Sequence, residues 1–145
     1  MKKNTVFRII DANLNRAREG LRVCEDIMRF FINDKYLTRS FKVTRHNLVK
    51  ILETEGLTRE DLLKYRDSRS DVGKNLSIKK IGGVNFITLF QANIQRAQEA
   101  LRVLEEISKI GNVRLEDKFR RLRFRIYALE SKASKKLTEH VHKKH

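Results

Sequence analysis

The chain has 145 residues, of which 33 are Lys or Arg and 18 are Asp or Glu, and its formal charge is +15. That length suits one domain, 1–145, with a core of its own, and the charge points to anionic partners: nucleic acid, an anionic surface or phosphorylated small molecules. A single cysteine, Cys24, excludes an internal disulfide framework and any multi-cysteine metal site, as expected of a reducing compartment.

At the N-terminus, Arg8 and Asp11 interrupt the apolar run of MKKNTVFRIIDANLN, so it does not read as a signal peptide. No stretch reaches the roughly 18 apolar residues of a membrane span. The expectation is a cytoplasmic protein without membrane contact.

Zero prolines and few glycines favour long helices. Over residues 5–33, Ile10, Leu14, Ala17, Leu21, Cys24, Met28 and Phe31 recur at three- and four-residue steps, which predicts one long amphipathic helix. Thr38 can cap a second helix, SFKVTRHNLVKILET, stopped by Gly56. Thr58 with Asp61 forms a capping box for a short third helix reaching Lys64 or Tyr65. Residues 67–84, with Gly73, Gly82 and Gly83, read as the one long loop. Asn85 starts a fourth helix to about Ile110. Gly111 breaks it, and Asn112 caps a fifth helix, VRLEDKFRRLRFRIYALESKASKKL. The last residues, KASKKLTEHVHKKH, read equally well as a solvated, frayed end.

One helical phrase is written twice. ANLNRAREGLRV at 12–23 returns as ANIQRAQEALRV at 92–103, and 12–30 matches 92–110 at ten of nineteen positions. With a two-residue adjustment, FKVTRHNL at 41–48 also matches FRRLRFRI at 119–126, pairing Phe41 with Phe119 and Arg45 with Arg123. The predicted fold is therefore all-α: an antiparallel bundle of about five helices, built from two similar helical hairpins with pseudo-twofold symmetry. The halves cover about 5–55 and 85–137, linked by the short helix and the loop 67–84.

Within the first helix, Asn13 and Arg16 fall inside the apolar arc and Glu19 falls at its edge; Asn93, Arg96 and Glu99 take the same places in the second copy. A buried guanidinium needs a partner, either the nearby Glu or an anion from outside. If each Arg is locked to its Glu, the repeat only specifies helix pairing. If not, Arg can grip phosphate bidentately, and Asn can read the donor and acceptor edge of a heterocycle.

Arg45 and His46 stand together on the second helix and are substrate-binding candidates, although a lone His is more often a half-exposed helix residue. In YRDSRSDVGKN, Arg66, Asp67 and Asp71 could hold Mg2+ against phosphate oxygens, or simply form turns. DVGKN lacks the frame of a P-loop, and no GxGxxG, HExxH or nucleophile elbow is present.

The strings RIIDANLNRAREGLRVCEDIMRFF, FKVTRHNL, YRDSRSDVGK, FQANIQRAQEALRVLEEISK and FRRLRFRIYALE, in this order over about residues 6–130, resemble the helical domain fused ahead of the barrel in certain thiamine-phosphate synthases. That domain's family is the monofunctional hydroxymethylpyrimidine phosphate kinase. The resemblance implies ATP-dependent, Mg2+-assisted phosphorylation of the pyrimidine monophosphate to its diphosphate. The chain carries no synthase barrel, so a separate thiamine-phosphate synthase is expected as the downstream enzyme.

Joined to the residue reading, this gives Arg16, Arg96, Arg66 and Asp67 catalytic roles. Asn13, Asn93, Glu19, Glu99, Arg45 and His46 are assigned to substrate and nucleotide, and Asp67 with Asp71 to the metal. Two rivals stay open: a basic nucleic-acid-binding bundle, motivated by FRRLRFRIYALESKASKK, and a dimerisation module that buries an apolar edge in a homodimer.

Overall fold

The computed structural model describes residues 3–74 and 84–143. All regular structure among the described residues is helical: α1 (Lys3–Asp26), a π-helical segment (Ile27–Ile32), α2 (Lys35–Thr54), α3 (Arg59–Leu63), α4 (Phe86–Ser108) and α5 (Val113–Lys143). Gly82, Gly83 and the rest of the predicted loop from 75 to 83 lie outside the described residues.

The first helix is not one uniform element. It changes to π-helix at Ile27, and Asn33 at φ 59° then ends it in the left-handed conformation. Such an insertion shifts the helical register locally without disturbing apolar spacing enough to be read from sequence. The second helix starts earlier than Thr38, because the Asp34 side chain accepts from Leu37 N–H and caps it. Thr38 instead lies inside the helix and donates its hydroxyl to the Asp34 carbonyl. The Thr58–Asp61 capping box is present, and Asn85 forms a reciprocal box with Thr88. Asn112 accepts from the N–H groups of Arg114 and Leu115 at the start of α5. The C-terminal segment is not frayed. It continues α5 through Lys143, held by buried Ala133 and Leu137.

The four long helices form a ring in which α1 packs on α2 and α4, and α5 packs on α4 and α2. Going forward along α1 and into the π-helical segment, Gly20, Cys24 and Phe31 meet Ala97, Phe90 and Phe86 in turn, so α1 and α4 are antiparallel. The two copies of the repeated phrase thus pack on each other. Gly20 permits this: a Cβ there would lie 2.6 Å from the Asn93 carbonyl oxygen. Phe41 and Phe119, paired by the repeat, are both fully buried, each contributing roughly 1.5–3 kcal/mol.

Glu25 and Glu105, also paired by the repeat, are buried and face Arg45 and Arg123. Arg45 Nε donates to Glu25 at 3.0 Å across α1 and α2, and Arg123 makes a two-pronged bond to Glu105 across α4 and α5. The longer match of 12–30 with 92–110 therefore includes the carboxylate of a buried interhelical ion pair in each hairpin. Bonding to Glu105 holds the Arg123 guanidinium firmly protonated.

Candidate functional site

On the outer side of α1, Thr5, Arg8, Ala12, Asn13 and Arg16 line a cleft of about 510 Å³ together with Arg66, Asp67, Ser68 and Asp71. The segment after α3 is brought across α1 by Asp11. Asp11 is 6% exposed, and its carboxylate accepts from Arg66 Nε at 2.7 Å and Nη2 at 2.6 Å, a bidentate pair between residues far apart in sequence. The bond to Asp11 raises the Arg66 pKa. Phe7 and Tyr65, with ring centroids 5.1 Å apart, secure the same junction.

The segment itself is shaped by its aspartates. Asp67 accepts from Ser70 N–H at 3.0 Å and Asp71 from Gly73 N–H at 2.9 Å. These hydrogen bonds from Ser70, with a contribution from Arg8, hold the Asp67 carboxyl below the usual carboxylate range.

Five of the residues singled out from sequence converge here: Asn13, Arg16, Arg66, Asp67 and Asp71. Arg8 and Asp11 complete the lining but escaped the sequence reading. Asp11 had a visible signal, since it falls on the α1 face shared by Phe7, Leu14 and Arg18, where a lone carboxylate needs a cation.

The environment of the repeated polar residues differs from the expectation. Arg16 and Arg96 are exposed, not buried in the apolar arc, because their long side chains carry the guanidinium out to solvent. Neither is locked to its Glu. Arg16 donates to Asn13 Oδ1 at 3.3 Å and Arg96 to Asn93 Oδ1 at 3.4 Å. The asparagines are the buried members, and each returns its amide to a carbonyl four residues back, Ile9 or Leu89. Their Nδ2 groups are thus partly committed, and their clearest task is to aim the arginines.

The remaining candidates lie elsewhere. Arg45, a substrate-binding candidate from sequence, is buried with its Nε donating to Glu25 and does not line the cleft. His46 is exposed and lines a different groove of about 650 Å³ with Arg39 and Lys42. Glu19, Asn93, Arg96 and Glu99 do not line the α1 cleft.

Chemically, the cleft sets three guanidiniums, Arg8, Arg16 and Arg66, among three carboxylates, Asp11, Asp67 and Asp71. The arginines can hold phosphate oxygens. Among the described residues no group of three or more His, Cys, Asp or Glu forms a ready metal cage. Mg2+ commonly takes one or two carboxylates and completes its shell with water and phosphate oxygens; the carboxylates of the cleft not bonded to Arg66 are Asp67 and Asp71. Among the described residues, no helix is long and apolar enough to cross a membrane.

Comparison with known proteins gives the cleft its context. The chain is 40% identical over 127 residues to a thiamine-phosphate synthase of Synechocystis sp., covering 87% of this chain and 35% of that protein. It is 39% identical over 130 residues to the thiamine-phosphate synthase of Nostoc sp., covering 89% of this chain and 35% of the relative. To the thiamine-phosphate synthase of Rhodopirellula baltica it is 35% identical over 128 residues, covering 88% and 34%. The chain thus spans about a third of the length of these curated relatives. No solved structure matches it significantly. The ThiD2 family model matches residues 8–132, a span that includes all five helices in whole or in part and the whole cleft except Thr5, and the chain belongs to the ThiD2 family.

Proposed function

We propose that the α1 cleft phosphorylates hydroxymethylpyrimidine monophosphate to its diphosphate, with ATP as donor and Mg2+ as the assisting ion. Thiamine-phosphate synthase relatives place the family in thiamine biosynthesis. The observation that carries the reading is the convergence of Arg8, Arg16 and Arg66 with Asp67 and Asp71 in one cleft, under the Asp11 clasp.

Phosphoryl transfer to a phosphate monoester crowds negative charges, and catalysis is mainly positioning and charge neutralisation. An oxygen of the acceptor phosphate attacks the γ-phosphorus, the bond to the ADP oxygen breaks, and one phosphoanhydride replaces another. The acceptor oxygen is already ionised near neutrality, so the cleft needs no general base. Arg16, held by Asn13, and Arg66, held by Asp11, present guanidinium edges to the transferred group, and Arg8 adds charge beside them. Asp67 and Asp71 would hold the Mg2+, which when bound neutralises donor phosphate charge. Of the two copies of the repeat only Asn13–Arg16 lines this cleft, so both substrates are assigned to it and the Asn93–Arg96 copy is given no part in the transfer. In both copies the Arg donates to the Asn side-chain oxygen three residues before it.

Incubation of purified protein with hydroxymethylpyrimidine monophosphate, ATP and Mg2+ should yield the diphosphate and ADP in equal amounts. Folded protein that releases neither overturns the reading.

A further inference from the structure

The candidate cleft does not account for the charge of +15, since its three arginines meet three aspartates. The excess is concentrated elsewhere. No Asp or Glu occurs from Lys35 to Leu52 or from Lys118 to Leu129, and these two stretches belong to α2 and α5, which pack side by side. Grooves of about 350 and 260 Å³ follow the seam between them and share Arg125. The first of these also shares Arg39 and Val43 with the groove on α2 that contains His46.

We infer that this seam is a second binding surface, distinct from the cleft, that takes the phosphate backbone of a nucleic-acid strand. On α2, Arg39, Lys42, His46 and Lys50 are exposed at steps of three and four residues, so cations recur about every 5.4 Å turn. Across the seam stand Arg121, Arg125 and Lys132. Arg39, Lys42, Lys50, Arg125 and Lys132 have no ion-pair partner among the described residues, while Arg121 is paired with Asp117; Arg22, Arg102 and Lys109 on α1 and α4 are paired with carboxylates and offer a comparison set of cations away from the seam.

The chemistry selects among polyanions. Lysine is depleted at the core of protein interfaces, yet here it alternates with arginine, as suits contact with phosphates. An amphipathic membrane contact would need an apolar ridge, and the seam is concave with Tyr36 and Val43 as its exposed large apolar groups. Tyr36, with Lys132 Nζ 5.7 Å from its ring centroid, offers a surface on which a base can stack.

The test is fluorescence anisotropy with a labelled 15-nucleotide single-stranded RNA, titrated at several salt concentrations. Saturable binding is expected, with a log–log salt slope of about −3 to −4 for roughly five phosphate contacts. The triple variant Lys42→Glu/Lys50→Glu/Arg125→Glu should weaken binding at least ten-fold and leave phosphoryl transfer unchanged. Arg22→Glu/Arg102→Glu/Lys109→Glu, with the same change in net charge, should keep affinity within two-fold, each variant being checked for its helical melt. Absence of saturable binding at 50 mM salt overturns the inference. So does equal weakening by both triples, which would make affinity a matter of net charge, or equal binding of polyglutamate, which would make the seam a reader of acidic polypeptide. Kinase failure with intact RNA binding, or the reverse, separates this surface from the cleft.

Discussion

Gly20→Ala tests whether the two repeated phrases are held together by close contact of α1 and α4. The added methyl carbon would lie 2.6 Å from the main-chain oxygen of Asn93, with Ala97 N at 3.4 Å and Ala97 Cβ at 3.5 Å. A main-chain oxygen inside a helix cannot turn aside, so the helices must separate by several tenths of an ångström. Two effects compete. Alanine favours helix over glycine by about 0.8–1.0 kcal/mol, whereas overpacking a filled contact costs about 1–3 kcal/mol. Here the obstructing atom is backbone and the contact is central, so the upper part of that range applies. The net loss is about 1–2 kcal/mol, or a fall of about 3–8 °C in Tm for a domain of this size. Thermal melts and urea titrations followed by circular dichroism measure it, with Gly111→Ala as control, since a Cβ there meets nothing within 4 Å. A Gly20→Ala protein as stable as the parent, or more so, would refute the close-contact argument.

Three further outcomes follow from the buried and capped groups. Glu25→Leu alone leaves Arg45 buried without its carboxylate and should cost about 3–5 kcal/mol by urea titration, whereas Glu25→Leu/Arg45→Met should recover most of that loss. Cys24 is fully buried and its thiol pKa is pushed up by burial, so a thiol reagent at pH 8 should label native protein far more slowly than urea-unfolded protein. Asp67 has a lowered folded-state pKa, so its contribution to loop order is complete above the ordinary Asp value of 3.8 and is lost as pH falls through the lower value. Amide exchange at Ser70 should therefore stay slow down to about pH 4 relative to Asp67→Ala, and a loss of protection already at pH 6 would contradict this assignment.

Much of the fold was legible because the signals were local and redundant. Thr58 with Asp61, Asn85 and Asn112 each announced a helix start, and each caps one. The repeat was legible as spelling, but its meaning was misplaced. Glu25 and Glu105 are one of the ten identities between 12–30 and 92–110, with nothing in the spelling to mark them, yet they hold the interhelical pairs with Arg45 and Arg123. A helical wheel gives direction and not reach, which is why it set Arg16 and Arg96 in the core when their guanidiniums extend to solvent. The cleft was half visible. YRDSRSDV read as a phosphate or metal segment from its residue types, and it lies against Asn13 and Arg16. The clasp that brings it there joins Asp11 to Arg66, a long-range pairing that a single sequence does not encode in any periodicity. The π-helical segment at Ile27–Ile32 was likewise hidden, since the apolar spacing through it continues the three- and four-residue steps of an α-helix.

The most direct test of the proposed activity is kcat/KM for hydroxymethylpyrimidine monophosphate, with ATP and Mg2+, in the parent protein, Arg16→Ala and His46→Ala. Arg16→Ala removes a guanidinium from the cleft and should lower kcat/KM by about 10²–10³-fold, while His46→Ala, in a different groove, should stay within two-fold. A parent protein without turnover, or an Arg16→Ala protein with the parent's rate, would contradict the assignment of the α1 cleft as the site of phosphoryl transfer.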